Sequence, residues 1–146
     1  MFARRYTGIF YMRKLLFACI LLFANVATAD PYLYLGQWSN HFHDDGDEYN
    51  EKHDLIGVEY RSWFVGTYKN SFRDESWLLT KRFSKSVCPH FDYGAKVGFV
   101  TGYDHLWNVG GAAPILLIDA NVMLGDTALN FNYGFAFVSV GMRYAF

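Results

Sequence analysis

The chain has 146 residues, with 13 Lys and Arg against 14 Asp and Glu, and 20% of its residues are aromatic. Four of the basic residues lie before residue 30, so the remainder has nine basic and 14 acidic residues and is about five units negative. A nucleic-acid-binding protein would present a basic patch, so this composition excludes that class of function. A chain of this length is expected to form one domain.

Residues 1–29 have the pattern of a cleaved export signal. The basic pair Arg13 and Lys14 precedes ten apolar residues, and Ala29 ends a short run of small residues that suits signal cleavage. Ten apolar residues are too few for a transmembrane helix, which needs about 20. We therefore expect a signal peptide over 1–29 and one exported domain over 30–146.

The exported part divides into short runs bounded by turn signals, and no segment of it is long and apolar enough for a helical span. An even number of strands is what single-chain bacterial barrels require. A closed barrel pairs every backbone group and leaves no edge strand. The eight predicted strands cover 32–41, 54–61, 63–71, 76–85, 93–103, 115–124, 127–133 and 136–146.

The final run, 136–146, alternates most clearly. Its even-numbered positions from Val138 to Phe146 are apolar or aromatic, whereas the odd-numbered positions between them are Ser, Gly, Arg and Ala. Side chains of a strand point alternately to its two faces, and membrane barrels are apolar outside and polar inside. A half-buried strand of a soluble sheet would look the same, and the export signal decides between the two. The prediction is an all-β, eight-stranded antiparallel transmembrane β-barrel of the outer-membrane type.

The connections between these strands fall into two sets at opposite ends of the barrel. Outer-membrane barrels carry their longer loops on the outside. With the N-terminus on the periplasmic side, the outer set is 42–53, 72–75 and 104–114. The periplasmic set is 61–62, 86–92 and 125–126.

A histidine and a serine converge at the predicted outer mouth. His53 opens one predicted strand and Ser71 closes the next, so the two lie at the same end of an antiparallel pair. Alternation assigns His53 to the face of Gly57, and Ser71 to the face of Thr67 and Lys69, and both faces are predicted to point into the lumen. A His beside a Ser is the minimum for base-assisted acyl transfer. Ordinary polar residues at the rim would show the same spacing.

Small residues on the predicted lumen faces allow two interpretations. They could leave a slot for an acyl chain in a barrel that is otherwise just wide enough to be filled by side chains. Alternatively, they could permit strand curvature. The glycines concerned are Gly57, Gly94, Gly98, Gly102 and Gly141.

No cofactor or metal is predicted. The acidic run 44–48 and the pair His41 and His43 offer ligands for a cation, but neither has the spacing of a calcium loop. Cys88 is the single cysteine after the predicted signal, so an internal disulfide is excluded and a packed thiol is expected.

Two segments of the chain resemble the catalytic segments of the lipid A palmitoyltransferase family. They are Asn50-Glu51-Lys52-His53-Asp54-Leu55-Ile56 and Gly66-Thr67-Tyr68-Lys69-Asn70-Ser71. The proline-led run 114–118 and the closing Met142-Arg143-Tyr144-Ala145-Phe146 resemble two further strands of that family. The order and spacing of these segments agree with those of the family better than their individual residues do.

Members of this family are monomeric barrels in the Gram-negative outer membrane that move a palmitoyl chain from a phospholipid to lipid A. The resemblance implies that His53 and Ser71 are catalytic, with Asn70 where the family has an aspartate. An amide cannot stabilise an imidazolium as a carboxylate does. The resemblance also implies contacts with the lipid substrate at Lys69, at Pro114 beside a lateral gap, and at Gly57, where the family's second gap proline is missing.

Two other functions stay open at this point. The chain could be a non-catalytic small outer-membrane barrel with a structural, adhesive or surface-exclusion role, which the amide at Asn70 favours. It could also be a soluble periplasmic barrel that binds a lipid-like ligand. In every case a single barrel domain without nucleic-acid partners is expected.

Overall fold

The computed structural model describes residues 31–42, 48–104 and 106–146, which form eight antiparallel strands. Consecutive strands pair in chain order, and the last pairs with the first, so the sheet closes into a barrel. The fold class predicted from the sequence is thus confirmed, whereas the predicted signal peptide over 1–29 lies outside the described residues. The strands are β1 (Tyr32–His41), β2 (Lys52–Tyr60), β3 (Trp63–Lys69), β4 (Glu75–Cys88), β5 (Phe91–Thr101), β6 (Ala112–Leu124), β7 (Thr127–Tyr133) and β8 (Phe137–Ala145).

The largest departure from the predicted bounds is the hairpin of β4 and β5. Both strands run further than predicted, to Cys88 and from Phe91, and they leave Pro89 and His90 as a two-residue turn. The prediction was wrong because it treated Pro89 as the centre of a long irregular connection. A proline in the turn removes no ladder hydrogen bond, so the flanking residues can stay paired.

The connections separate as predicted into two ends of the barrel. We call one the loop end; among the described residues it carries 42, 48–51, 70–74, 102–104, 106–111 and 134–136. We call the other the turn end; it carries 61–62, 89–90 and 125–126. Both chain termini of the barrel also lie there, where Phe146 N donates to Pro31 O at 3.2 Å. In the described part of the chain there is no helix long and apolar enough to cross a membrane.

Large apolar side chains cover the outside of the barrel. On β8 the predicted alternation is confirmed, since Met142 and Tyr144 are exposed whereas Ser139 and Arg143 are buried. Such an outer surface, apolar and rich in aromatics, is typical of strands that face lipid. Exposed aromatic residues on the strands include Trp38, Trp63, Phe83, Tyr93, Phe99, Phe131, Tyr133 and Tyr144.

The lumen is filled in two layers. Toward the loop end lies an apolar cluster of Tyr34, Leu55, Phe64, Tyr68, Val100 and Ala113. Toward the turn end lies a polar network in which Arg82 bonds Asp119 at 2.7 Å and also pairs with Asp92. Its members, linked by further hydrogen bonds, are Arg82, Asp92, Lys96, Asp119, Asn121, Asn130, Asn132 and Arg143.

Candidate active site

His53 lies in β2 with its side chain inside the barrel, as its alternation predicts, and it is 6% exposed. Its Nδ1 is 2.6 Å from the carbonyl oxygen of Lys69, and its Nε2 is 2.7 Å from Oγ of Ser39. A carbonyl oxygen only accepts hydrogen bonds, so Nδ1 carries the proton and the neutral ring accepts at Nε2 from the Ser39 hydroxyl. The imidazole is therefore placed as a base toward a serine hydroxyl.

The position of the His53 ring follows from a break in the backbone ladder. β2 and β3 are paired from Tyr60 and Trp63 only as far as Ile56 and Thr67. The carbonyl of Lys69 thus lies beyond the ladder and accepts from side chains instead, from the His53 ring at 2.6 Å and from Asn50 Nδ2 at 3.4 Å. The shorter of these hydrogen bonds fixes the orientation of the imidazole.

Ser71 is paired with a different histidine. It lies in the 70–74 connection, 7% exposed, and its Oγ is 2.9 Å from Nε2 of His41. The His41 ring stacks on Tyr49 with centroids 4.6 Å apart, and its Nδ1 is buried without a hydrogen-bond partner. The loop end thus holds two Ser–His pairs, and the predicted contact between His53 and Ser71 is replaced by Ser39–His53 and Ser71–His41.

The lumen facing assigned to Thr67 and Lys69 on β3 was wrong, although Ser71 itself is buried. Glu59 and Gly57 on β2 pair with Phe64 and Gly66, so the inward side chains of β3 include Phe64 and not Thr67 or Lys69. The prediction placed aromatics toward lipid, but here an aromatic ring fills the lumen. Ser71 still reaches the interior, because the chain has left β3 before it and turned inward.

Asn70 is fully buried and makes no contact with either histidine. Its Nδ2 donates to Ser76 Oγ at 3.0 Å and to Gly102 O at 2.8 Å, while Oδ1 accepts from the backbone N–H groups of Phe72 and Asp74. Two donors and two acceptor positions are all an amide has, and all are used. Asn70 therefore holds the connection that carries Ser71, and its role in the structure is to position that segment.

Pro114 lies in an unpaired stretch of β6. This strand pairs with β5 from Ala112 to Val122 but with β7 only from Ile118 onward, so residues Ala112 to Leu117 have no β7 partner. Proline lacks a backbone N–H and suits such a position. The ring of Phe137 lies 6.1 Å from the His41 ring, and both the Phe137 ring and Leu117 border Gly134.

Gly57 does not leave an open slot. A Cβ at Gly57 would overlap the ring of Phe64, and one at Gly66 would lie 2.7 Å from the same ring. At Gly98 a Cβ would meet the backbone of Leu79 on β4. At these positions the acyl-slot interpretation was wrong, and the glycines instead allow a ring or a neighbouring strand to approach closely.

Ser39 and His41 were not recognised as partners of His53 and Ser71. Both lie on β1, where the register shifts between Leu35 and Gln37 around Gly36, which has a φ of 65°. A bulge of this kind moves the following residues to the other face. Strict alternation from the inward-facing Tyr34 would assign Ser39 to the outer face. Because of the bulge, Ser39 instead lies on the inner face.

Several other candidates from the sequence do not join this site. The acidic run and His43 lie largely or wholly outside the described residues. Cys88 is exposed at the turn end, not packed as expected, because β4 continues past Lys81, where its pairing with β3 ends. In the residues that the structure does describe, no group of three or more His, Cys, Asp or Glu is placed to hold a metal ion.

Comparison with known proteins supports the fold alone. No protein-family model matches the chain, and no curated protein matches it. Among solved structures it is similar to a transmembrane β-barrel of de novo design, with a TM-score of 0.61 and 17% sequence identity, over 80% of this chain and 95% of that one. The chain has the fold of an eight-stranded transmembrane β-barrel of the outer-membrane type.

Proposed function

We propose that this chain is an enzyme of the Gram-negative outer membrane that moves a fatty acyl chain from a phospholipid to lipid A. The observation that carries the proposal is the pair of Ser–His contacts at the loop end, the end of the barrel where β6 begins with its unpaired stretch. The nature of donor and acceptor comes from the resemblance of the two segments around His53 and Ser71 to lipid A palmitoyltransferases.

In this proposal His53 acts as the general base. Its ring is oriented by the Lys69 carbonyl and accepts from a serine hydroxyl, which is the contact that activates a serine toward an ester. Lys69 thus contributes through its backbone, and Asn70 through the connection that it holds. A carbonyl dipole stabilises an imidazolium less than a carboxylate does, so turnover is expected to be slower than with an aspartate in that place.

The proposed route for the lipid is lateral. Residues 112–117 of β6 lack a β7 partner, and Pro114 cannot donate to one. An acyl chain could pass here from the membrane toward the Phe137 ring and His41 without crossing a continuous hydrogen-bond ladder. The Phe64 ring covers Gly57. The proposed contact of the lipid at this position is therefore with the ring and not with Gly57 itself.

The second candidate function is a non-catalytic barrel with a structural, adhesive or surface-exclusion role. The filled lumen favours it, as does the full use of the Asn70 amide in holding a turn. Two cavities of about 240 and 280 Å³ that share Tyr32 and Arg143 open at the turn end, away from the Ser–His pairs.

Mass spectrometry of lipid A separates the two candidates. Expression of the chain in Gram-negative cells should add the mass of one long acyl group to lipid A, and His53→Ala should abolish the addition. His90→Ala is the matched control, because His90 is exposed in the β4–β5 turn. An unchanged lipid A profile from correctly inserted protein would favour the non-catalytic barrel.

A further inference from the structure

We infer that Ser39, and not Ser71, is the nucleophile, and that His53 is its general base. The inference rests on the proposed acyl transfer and assigns its first covalent step to a residue on β1. Ser71 and its partner His41 then form a neighbouring polar pair that does not bond to the acyl group.

The two pairs differ in how the histidine is held. Nδ1 of His53 is bound to a backbone carbonyl at 2.6 Å, so the lone pair of the neutral ring lies on Nε2, 2.7 Å from Ser39 Oγ. A base must present this lone pair toward the hydroxyl that it activates. His53 is therefore held in the tautomer and orientation that the step requires.

His41 has no such support. Its Nδ1 is buried and has no partner among the described residues, so no hydrogen bond within them selects the tautomer that would accept from Ser71. Its ring is held by stacking against Tyr49, which fixes the plane but not the proton. Of the two serines, only Ser39 faces a histidine whose accepting nitrogen is defined by a second hydrogen bond.

The step balances with the groups present and the two lipid substrates. Ser39 Oγ attacks the ester carbonyl of the phospholipid, its proton passes to His53 Nε2, and an Oγ–acyl bond forms. The ester C–O bond breaks, and the lysophospholipid leaves with the proton from His53. An acceptor hydroxyl then gives its proton to His53 and takes the acyl group, and the proton returns to Ser39.

Burial of the pair is consistent with transfer in preference to hydrolysis. Ser39 is 8% exposed and His53 is 6% exposed, so bulk water has little access to an acyl group on Oγ. Access for lipid then depends on the loop end and the unpaired stretch of β6. An exposed serine at the rim would instead favour release of free fatty acid.

A long-chain alkyl fluorophosphonate tests the assignment on the unaltered full-length chain in detergent micelles. Attack by a serine forms an Oγ–P bond and releases fluoride, which leaves a stable adduct. Trypsin separates the two serines, because Ser39 lies in the peptide ending at Lys52 and Ser71 lies in residues 70–73. We expect the adduct on the Ser39 peptide.

Variants of the same chain provide the rate comparison. His53→Ala should slow the modification by about 100-fold or more, the range of general base catalysis. His90→Ala, at an exposed position of the β4–β5 turn, should leave it within about threefold, and heat-modifiable gel mobility confirms that each variant is folded. An adduct on residues 70–73 would overturn the assignment but leave the proposed acyl transfer standing. No serine adduct on folded protein would overturn both.

Discussion

The amide of Asn70 joins two connections at the loop end, since its Nδ2 donates to the carbonyl oxygen of Gly102 at 2.8 Å. Asn70 follows β3 and Gly102 follows β5, so this single contact ties two connections that are distant in sequence. Ser71 comes directly after Asn70, and the carbonyl that orients His53 comes directly before it. The geometry of the candidate site therefore depends on this hydrogen bond.

Replacing Asn70 with aspartate tests whether the residue positions the loop end or occupies the place of a carboxylate that would support the catalytic histidine. Asn70→Asp loses both amide donors and sets a carboxylate oxygen against the carbonyl of Gly102. We expect the free energy of unfolding to fall by about 1–3 kcal/mol. Urea unfolding in lipid vesicles, followed by tryptophan fluorescence, measures the change.

Ser76→Ala is the control for this experiment, because it removes one hydrogen-bond partner of Asn70 and adds no charge. A smaller loss of stability is expected for it. If Asn70→Asp were as stable as the original protein and raised acylation of lipid A, Asn70 would be a catalytic position occupied by the wrong side chain, and the positioning role would be rejected.

The polar network in the lumen predicts a large effect of Asp119→Ala. Asp119 accepts from Arg82 at 2.7 Å and lies 3.9 Å from Lys96 Nζ, all three being buried. Removal of Asp119 takes away the ion-pair partner of Lys96 and leaves Arg82 with Asp92, which should cost about 3–5 kcal/mol. Asp126→Ala, in the exposed β6–β7 turn, should change stability little. Equal stabilities of the two variants would mean that water solvates the network.

Arginine substitutions at two depths in the expected hydrocarbon layer test the membrane-facing surface. Val97 is exposed in the middle of β5, and Val87 is exposed near the turn end of β4. Val97→Arg should lower the free energy of unfolding in vesicles by about 2–4 kcal/mol, whereas Val87→Arg should lie within about 1 kcal/mol of the original protein. Equal effects at the two positions would contradict a hydrocarbon layer around the middle of the barrel.

The unpaired stretch of β6 predicts that tying β6 to β7 blocks substrate entry. Leu116 and Phe135 are both exposed, and they are the positions that a ladder continued beyond Ile118 and Tyr133 would bring opposite each other. In a Cys88→Ser background, the double variant Leu116→Cys and Phe135→Cys should lose acyl transfer when oxidised. Reduction should restore it.

The matched control is a second disulfide within the existing ladder. Ile118→Cys with Tyr133→Cys joins two residues that already face each other across β6 and β7. It should leave acyl transfer unchanged in both redox states. Full activity of the oxidised Leu116–Phe135 pair would show that lipid does not enter between these strands.

The fold could be predicted from the sequence wherever one face of a strand meets lipid and the other meets the polar network. β8 and β7 show this strictly, since Arg143 and Asn130 alternate with Met142 and Phe131. In these strands polarity and side-chain direction coincide. Alternation of the residues alone then gives the strand, its approximate bounds and its inward face.

The site could be predicted only in part, because it lies where alternation fails. On β3 an aromatic ring, Phe64, fills the lumen, so polarity no longer marks the inward face. On β1 the bulge at Gly36 changes the face of every later residue, including Ser39 and His41. Alternation placed His53 correctly, but its partner depends on a break in the β2–β3 ladder that no sequence signal marks.

Transfer of a labelled acyl chain by the purified protein tests the central claim most directly. The refolded chain in mixed micelles would receive a phospholipid with one isotopically labelled acyl group and unlabelled lipid A, and lipid A would be analysed by mass spectrometry. We predict that the label appears on lipid A with the original protein and with His90→Ala, and not with His53→Ala. Label that stays on the phospholipid, in the presence of correctly folded protein, would contradict the account.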